Sequence, residues 1–341
     1  MITFGKKGRS AKAVQFCMGS DTIVNTDCIK HVGVHINEQL NDKVKVQNGC
    51  CKAKAALFSM LSIKMHPLHL NPLTSASIIS KVCIPRLLFG AELWSNLSNS
   101  DCMTLERFLR LAAKKIQGFH VRTRTDTSLS MLGWKSVVSQ IDYRKLSFLG
   151  RLCNMPNTVH AKGIFNARLS IYICRSDNNQ RGFVPDVVQV LEKYELSFEL
   201  INYSHSGVFM SYPAWKRTCK QAILKFENAA WNARLHADDD FKRFRQLHTH
   251  LQPALLWKCA IDCRSQYHAS IVSKLWTQNY EISSTDILCH RCGMMYKDKY
   301  VHAVVVCEEM ALLREDFYAH VRHTFGNQVY NELRSRSDER R

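Results

Sequence analysis

The chain has 341 residues, 46% of them hydrophobic, and carries 47 Lys and Arg against 29 Asp and Glu, which gives a formal net charge of +18. This length allows two or three units with their own cores, and this hydrophobic content excludes disorder throughout the chain. No apolar run has the length of a membrane span, and the first sixteen residues lack the apolar stretch of a secretory signal. We therefore expect an intracellular protein, nuclear or cytoplasmic and not secreted, without a membrane partner.

The positive charge predicts a polyanionic partner, of which nucleic acid is the commonest, rather than a small-molecule substrate. The alternative is that the charge only keeps the protein in solution. Fourteen cysteines without a secretory signal argue against a disulfide framework. Four cysteines within apolar patterns are predicted to be buried as small hydrophobic residues: Cys83, Cys102, Cys153 and Cys219.

Two alternating stretches within residues 12–36 predict short antiparallel strands at the N-terminal end. Apolar residues alternate there with polar neighbours, and Gly19-Ser20-Asp21 favours a turn. The alternating residues are Val14, Phe16, Met18, Val32, Val34 and Ile36. From residue 41 the apolar period becomes helical, with Asn41 or Asp42 as the cap. The apolar positions of this helix are Val46, Cys50, Leu57 and Leu61.

More helices are predicted along the middle of the chain. One runs through residues 75–84 to Pro85, which should end or kink it. The clearest one spans Thr104–Gln117, whose apolar stripe is followed by Gly118, a residue typical of helix C-termini. The remaining expectations are helices over 131–153 and, except at Pro253, over most of 214–276, and loops over 175–182 and 202–207.

Cations cluster on the Thr104–Gln117 helix and after it. Arg107, Arg110 and Lys114 lie at i, i+3 and i+7, so we expect them on one solvent face. Residues 104–151 contain ten Lys and Arg against three Asp and Glu, and a cationic helix face fits a phosphate backbone. The alternative is an ordinary solvated face. The candidate nucleic-acid contacts are Arg107, Arg110, Lys114, Lys115, Arg122, Arg124, Arg144 and Lys145.

The last three cysteines have the spacing of metal ligands. A Cys-x-x-Cys step lets two thiolates bind one tetrahedral ion from a tight turn, which Gly293 favours. The candidate ligands are Cys289, Cys292, His302 and Cys307, with His290 as the alternative histidine. Four protein ligands leave no open position for water, so the expected cofactor is a structural Zn²⁺. A helix is predicted after Cys307, with its apolar residues against the zinc turn: Met310, Leu313, Phe317 and Val321.

Several segments, in this order along the chain, resemble LINE-type (non-LTR) retrotransposon reverse transcriptases. They are MITFGKKG (1–8), HVGVHINEQLN (31–41), IPRLLFGAELWSNL (84–97), LERFLRLAAKKIQG (105–118), YRKLSFLGRLCNMP (143–156) and the final Cys-Cys-His-Cys run. The chain resembles the C-terminal portion of such an enzyme, from just past the catalytic palm motif to the terminal zinc knuckle. The resemblance is clearest over 1–160 and 286–315.

The resemblance implies a mainly α fold with a short N-terminal antiparallel β segment, a helical thumb-like bundle and a small C-terminal zinc-binding unit. The implied domains are a β remnant of the palm (1–40), a thumb-like domain (41–160), a helical linker region (161–280) and a CCHC unit with a terminal helix (281–341). It also implies binding of RNA or DNA, such as the element's transcript or a primer–template duplex. The family's catalytic carboxylates lie upstream of these segments, so we expect no polymerisation by this chain alone.

Two acidic motifs are not expected to be catalytic. Leu235 to Asp239 superficially resembles the family's aromatic-Ala-Asp-Asp turn, but it follows the thumb-like segment and is interpreted as a solvated helix start. Pro185-Asp186 is likewise interpreted as a helix start rather than part of a nuclease core. The alternative function is that of a decayed element's product, with no activity or only protein interactions.

Overall fold

The computed structural model of the chain describes residues 16–23, 26–37, 42–95, 97–174, 182–238, 241, 244–245, 248–277, 282–298, 302, 306–319, 322–323, 327 and 331. The fold is mainly helical, with short antiparallel strands near the N-terminal end and a Cys/His cluster near the C-terminal end, which confirms the predicted fold class. The chain divides into two compact units, Met1–Ile271 and Val272–Arg341. Within the described ranges, no helix combines the length and the apolar character needed to cross a membrane.

Two separate β-hairpins open the described part of the chain. Strands β1 (Phe16–Met18) and β2 (Asp21–Ile23) pair antiparallel around a turn that begins at Gly19, where φ is +67°. Strands β3 (Cys28–His31) and β4 (Val34–Asn37) form the second antiparallel pair. The prediction that Val32 belongs to a strand is wrong, because Val32 and Gly33 form the two-residue turn with φ values of +48° and +82°. Two-residue hairpin turns of this kind require positive φ. Val14, also predicted to belong to a strand, lies outside the described residues.

The helices predicted for the first unit are present, and the structure adds helices over 125–130, 160–174 and 197–206. In chain order, the helices are α1 (Lys43–Ser62), α2 (Pro72–Leu87), α3 (Asn99–Ile116), α4 (Thr125–Ser130), α5 (Val137–Asn154), α6 (His160–Cys174), α7 (Phe183–Lys193), α8 (Ser197–Ser206), α9 (Tyr212–His236), α10 (Leu255–Cys259) and α11 (Cys263–Trp276), whose last residues fall in the second unit. Pro85 lies inside α2, two residues before its end. Pro185 and Asp186 lie in the first turn of α7, as predicted.

The ends of α3 show how the local sequence sets a helix boundary. At its C-terminal end Gly118 has a φ of +65°, and Phe119 N donates to Lys114 O at 2.9 Å, which together form a Schellman motif. This confirms the role predicted for Gly118. At the other end the helix begins five residues earlier than predicted, because Ser98 and Asp101 form a capping box.

Three predicted boundaries are corrected by the structure. Residues 202–207 are mostly helical, since α8 buries Leu200 and Tyr203 on one face and ends at Gly207 with φ +68°. The helix predicted from residue 131 begins at Val137 instead, because Gly133 adopts φ +66° in the preceding turn. The helical pattern predicted after residue 214 to break only at Pro253 already ends with α9 at His236, and α10 begins at Leu255. Pro253 pairs with Leu132 as an isolated β-bridge.

Two clusters of buried apolar side chains form the core of the first unit. The first joins α1, α2 and α3, where α1 and α2 approach so closely that a Cβ on Gly49 would lie 2.4 Å from Leu87 O. The second surrounds Trp215 of α9, whose Nε1 donates to Leu146 O at 2.6 Å. Helix α5 contributes to both clusters. Helix α5 therefore connects the two parts of this core.

Three of the four cysteines that the sequence predicts to be buried are buried. Cys83, Cys153 and Cys219 are buried, and Cys102 is half-buried. Burial raises the pKa of Cys153 and of Cys219 to about 12, because the thiolate would lose its solvation. These thiols remain protonated at neutral pH and serve as apolar packing.

Candidate metal centre

The first two candidate ligands lie in the turn of a β-hairpin in the second unit. Strands β5 (Ile282–Leu288) and β6 (Met295–Asp298) pair antiparallel, with Leu288 opposite Met295. Between them Cys289 N donates to Met294 O at 2.8 Å, and Gly293 N donates to Cys289 O at 2.9 Å. Gly293 has a φ of +73°, a conformation that favours glycine, so the turn that the sequence predicts is present.

Backbone hydrogen bonds within this turn act on the two thiols differently. The N–H groups of Cys292 and Arg291 donate to the Cys289 sulfur and lower its pKa to about 6. The N–H of Met294 lowers the pKa of Cys292, but desolvation and the neighbouring sulfurs of Cys289 and Cys307 outweigh it, so the net pKa is raised. Of these two sulfurs, Cys289 therefore carries the thiolate first, in contrast to the buried thiols of the helical core.

The other two candidate ligands come from the segment after β6 and are buried. His302 is 5% exposed and Cys307 is 1% exposed. Cys307 N donates to His302 O at 2.6 Å, so a backbone hydrogen bond joins the two positions directly. The His302 ring stacks on Tyr296 of β6, with the ring centroids 4.8 Å apart and the planes 11° from parallel. This stacking fixes the orientation of the imidazole.

The four ligand atoms converge. The side-chain donor atoms of Cys289, Cys292, His302 and Cys307 all lie within 4.8 Å of one another, and Cys292 Sγ is 3.2 Å from His302 Nε2. Ligands around a tetrahedral Zn²⁺ at its usual bond lengths are separated by about 3.5–3.8 Å. Movements of about 1 Å or less therefore convert this cluster into a tetrahedral site. His290, the alternative histidine, is exposed and does not belong to the cluster.

After Cys307, the predicted apolar packing against the metal-ligand turn is found for Met310, whose Sδ lies 3.5 Å from Nη1 of Arg291 in that turn. A 3₁₀ turn covers Glu308–Met310 and residues 311–319 are helical, which confirms the predicted helix. The predicted packing is wrong for Leu313 and Phe317, which are exposed. Arg314 is buried instead, and its Nη1 donates to Cys307 O at 2.6 Å. Val321 lies outside the described residues.

Three of the predicted nucleic-acid contacts are exposed cations: Arg107, Lys115 and Arg122. Their side chains form no ion pair or hydrogen bond with other residues that the structure describes. Their neighbours on α3 are less available. Arg110 is half-buried and its Nε is shielded from solvent. Lys114 donates from Nζ to Val121 O at 2.7 Å, so it closes the end of the helix. The single solvent face predicted for Arg107, Arg110 and Lys114 is therefore only partly realised.

The last three predicted contacts, Arg124, Arg144 and Lys145, differ from one another in solvent exposure and in their partners. Lys145 is buried at 8% exposure, and its Nζ lies 3.4 Å from the carboxylate of Asp186, so its prediction as a phosphate contact is wrong. It follows Arg144 directly, and adjacent positions of a helix point about 100° apart. Arg144 is half-buried and lines a groove, whereas Arg124 is exposed, forms an ion pair with Asp238 and lies 4.6 Å from the Phe241 ring centroid.

Four further cations, which are not among the candidate contacts predicted from the sequence, line the same groove as Arg144. They are Lys135, Arg151, Lys216 and Lys220. Lys216 and Lys220 are four residues apart on α9 and therefore share a helix face. That spacing was the available signal, but only the packing of α9 against α5 shows that these cations join those of α5.

The first residues of the acidic motif, Leu235 and His236, end α9, and Asp238 lies after the helix, where its carbonyl accepts from Phe241 N at 3.2 Å. Leu235 is buried, Asp238 is ion-paired with Arg124, and Asp239 lies outside the described residues.

No family profile, no curated protein and no solved structure matches this chain. The resemblance to LINE-type reverse transcriptases stays a prediction from the sequence motifs.

Proposed function

We propose that the protein binds one Zn²⁺ as a structural ion and associates with nucleic acid, as the non-catalytic C-terminal portion of a LINE-type reverse transcriptase would. The observation that supports the zinc site most strongly is the convergence of four ligand atoms within 4.8 Å. Three sulfurs and one imidazole nitrogen favour zinc over hard cations, which take oxygen ligands. With four protein ligands, the ion has no position left for a reacting water, so its role is to fold the second unit.

The proposed nucleic-acid association is supported by the distribution of charge. The chain has a formal net charge of +18, and exposed cations such as Arg107, Lys115 and Arg122 lie on or just after α3. Each phosphate that such a cation neutralises releases a counterion, so the affinity falls steeply as salt rises. The proposed family is inferred from the sequence motifs, and the proposed nucleic-acid partner is inferred from the positive charge.

The zinc proposal is tested by measuring zinc per chain in protein purified from zinc-supplemented cells. We expect one zinc per wild-type chain and a large loss in Cys292→Ser. Cys51→Ser is the matched control, because Cys51 is exposed on α1 and lies far from the cluster in sequence. Equal zinc content in wild type and Cys292→Ser would refute the site.

The association with nucleic acid is tested by titrating labelled single-stranded and duplex RNA and DNA at two salt concentrations. Binding that weakens strongly between the two concentrations supports the proposal. Binding that is absent at low salt, or that does not respond to salt, contradicts it and favours the alternative of a decayed element's product.

A further inference from the structure

A groove of about 710 Å³ lies between α5 and α9 in the first unit. One side is formed by residues of α5 such as Arg144 and Phe148, and the other by residues of α9 such as Lys216 and Leu224. Its volume lies in the range of ligand sites and is too small to admit a double helix. The groove is thus suited to a ligand of one to a few nucleotide-sized groups.

The lining of this groove is strongly cationic. Its charged residues are Lys135, Arg144, Arg151, Lys216 and Lys220, with Glu92 as the single carboxylate. Across the described residues, none of these five cations forms a salt bridge. Burial lowers the pKa of Lys135 and of Arg144, because their charged forms lose solvation. An anion in the groove would compensate that loss.

Aromatic and hydroxyl groups accompany the cations. Tyr143, Phe148 and Tyr212 line the groove and are half-buried, so ring surface remains open. The Tyr212 ring is held from two sides: Arg151 Nε donates to its hydroxyl at 3.0 Å, and Lys216 Nζ lies 5.3 Å from its centroid. Since cations already lie over the Tyr212 ring, the rings of Tyr143 and Phe148 are the ones that can stack on bases, beside charges for phosphates.

The walls of the groove are fixed before any ligand binds. Glu227 of α9 accepts hydrogen bonds from the hydroxyls of Ser136, which caps α5, and of Ser139 in the first turn of α5. Trp215 Nε1 of α9 donates to Leu146 O of α5. These buried contacts join the two helices that carry the cations. Because the site needs little ordering on binding, its conformational cost is small.

We propose that this α5–α9 groove binds a short stretch of single-stranded nucleic acid. The inference rests on the proposed function and adds to it a binding site and the single-stranded form of the nucleic acid. Arg144 and Arg151 are seven residues apart, about 10 Å along the helix, and Lys216 and Lys220 are about 6 Å apart. Cations spread along both walls match successive phosphates of an extended strand, whereas one small phosphorylated molecule requires cations that converge on a single point.

The test is fluorescence anisotropy of the full chain with a short labelled oligouridine and a short labelled oligothymidine, at several salt concentrations. Lys216→Ala/Lys220→Ala removes two groove cations. Arg217→Ala/Lys225→Ala is the matched control, because these residues are exposed on the same helix, do not line the groove and carry the same charge. We expect the groove variant to bind at least about tenfold more weakly, with a salt slope smaller by about 1.4 for two lost phosphate contacts, and the control to change affinity about twofold or less.

Two results would overturn the assignment. Equal weakening in the groove variant and the control would show that only net charge matters. Displacement of the oligonucleotide by uridine monophosphate at the same nucleotide concentration would show a pocket for a small phosphorylated molecule. The comparison of oligouridine with oligothymidine distinguishes RNA from DNA as the source of the strand.

The same experiment separates this inference from the function on which it rests. Failure of the wild-type protein to bind any nucleic acid contradicts both. Wild-type binding that the groove variant retains, while Arg107→Ala/Lys115→Ala/Arg122→Ala loses it, refutes the groove and leaves the proposed function in place. Circular dichroism of each variant confirms that the helical fold is retained.

Discussion

The two units of the chain hold their structures by different means. In the first unit, apolar side chains fill two clusters, and four tryptophans are at most 1% exposed: Trp94, Trp215, Trp231 and Trp257. Among the side chains of the second unit that the structure describes, which do not include those of 275–276, 282–287 and 297–298, Cys307 is the one buried hydrophobic residue. The other buried side chains there are Ser273, Thr277, His302 and Arg314.

This difference indicates where each unit obtains its stability. Burying apolar surface stabilises the first unit without any ligand. In the second unit, the buried side chains that the structure describes include two of the four proposed metal ligands, His302 and Cys307, so we expect metal binding to supply part of its folding free energy. Changes to the metal site should therefore affect one unit and changes to the helical core should affect the other.

The largest effect is expected from removing a metal ligand. His302→Ala should unfold the second unit, because structural zinc contributes an apparent free energy of about 10–16 kcal/mol in small zinc domains and one ligand carries a large part of it. Limited proteolysis would measure this as rapid cleavage after β6. His290→Ala is the control, since His290 is exposed and outside the cluster, and equal cleavage of the two variants would contradict the ligand assignment.

The reverse experiment overpacks the helical core. In Gly150→Ala the added Cβ would lie 2.1 Å from Cδ1 of Trp215, so α5 and α9 would have to separate. We expect a loss of about 1–3 kcal/mol in the free energy of unfolding of the first unit, with zinc content unchanged. Urea denaturation followed by tryptophan fluorescence measures it.

Gly163→Ala is the matched control for this change. A Cβ on Gly163 meets nothing within 4 Å in helix α6, so alanine should be neutral or stabilising by about 0.5–1 kcal/mol. A neutral result for Gly150→Ala, or an equal loss in both variants, would contradict the close packing of α5 on Trp215.

An intermediate effect is expected from pH in the first unit. Burial lowers the pKa of His248, with His250 and Lys258 adding to the effect, although the hydrogen bond from Nε2 to Ser130 O at 3.2 Å opposes it. The unfolded chain then binds the proton more readily, so this contribution to stability is present above the ordinary pKa of about 6.5 and is lost as pH falls below it.

His248→Gln tests that assignment, because glutamine retains a hydrogen-bond donor but does not titrate. Urea denaturation of the first unit between about pH 7.5 and pH 5.5 should show a smaller loss of stability in the variant than in the wild type. Identical pH profiles would show that His248 is not the titrating group.

The smallest effect is expected from a surface ion pair. Asp238→Ala removes the partner of Arg124, and because both side chains are substantially solvent-exposed the loss should stay within about 1 kcal/mol. Lys225→Ala, which removes a pair with Glu195 that is about 80% exposed on both sides, should change stability by about 0.5 kcal/mol or less. A loss above about 2 kcal/mol on substituting Asp238 would show that this residue has a structural role beyond the pair.

The sequence predicts helices well where their boundaries depend on residues a few positions apart. The apolar stripe of α3 and Gly118 at its end gave the right helix and the right terminus, since both depend on residues one to four positions apart. The loop predicted over 202–207 failed because polar residues there lie on the exposed side of a helix whose buried side packs on distant residues. Composition alone does not distinguish these two situations.

The convergence of the Cys/His cluster was predictable for the same reason, and the groove was not. Cys289 and Cys292 are brought together by one turn, and the spacing to His302 and Cys307 is short enough for a single small unit. Arg144 and Lys216 meet across helices far apart in sequence, so only the tertiary packing reveals their groove. Lys145 was misassigned because the sequence pattern did not show that its face of α5 is covered by α7.

Hydrogen exchange on the wild-type chain, with and without a zinc chelator, tests the central difference between the two units most directly. We predict that chelation removes protection from peptides within 282–319 and leaves peptides of α1 and α9 unchanged, because the proposed metal ligands all lie in the second unit. Unchanged protection within 282–319, or an equal loss in both units, would contradict this account.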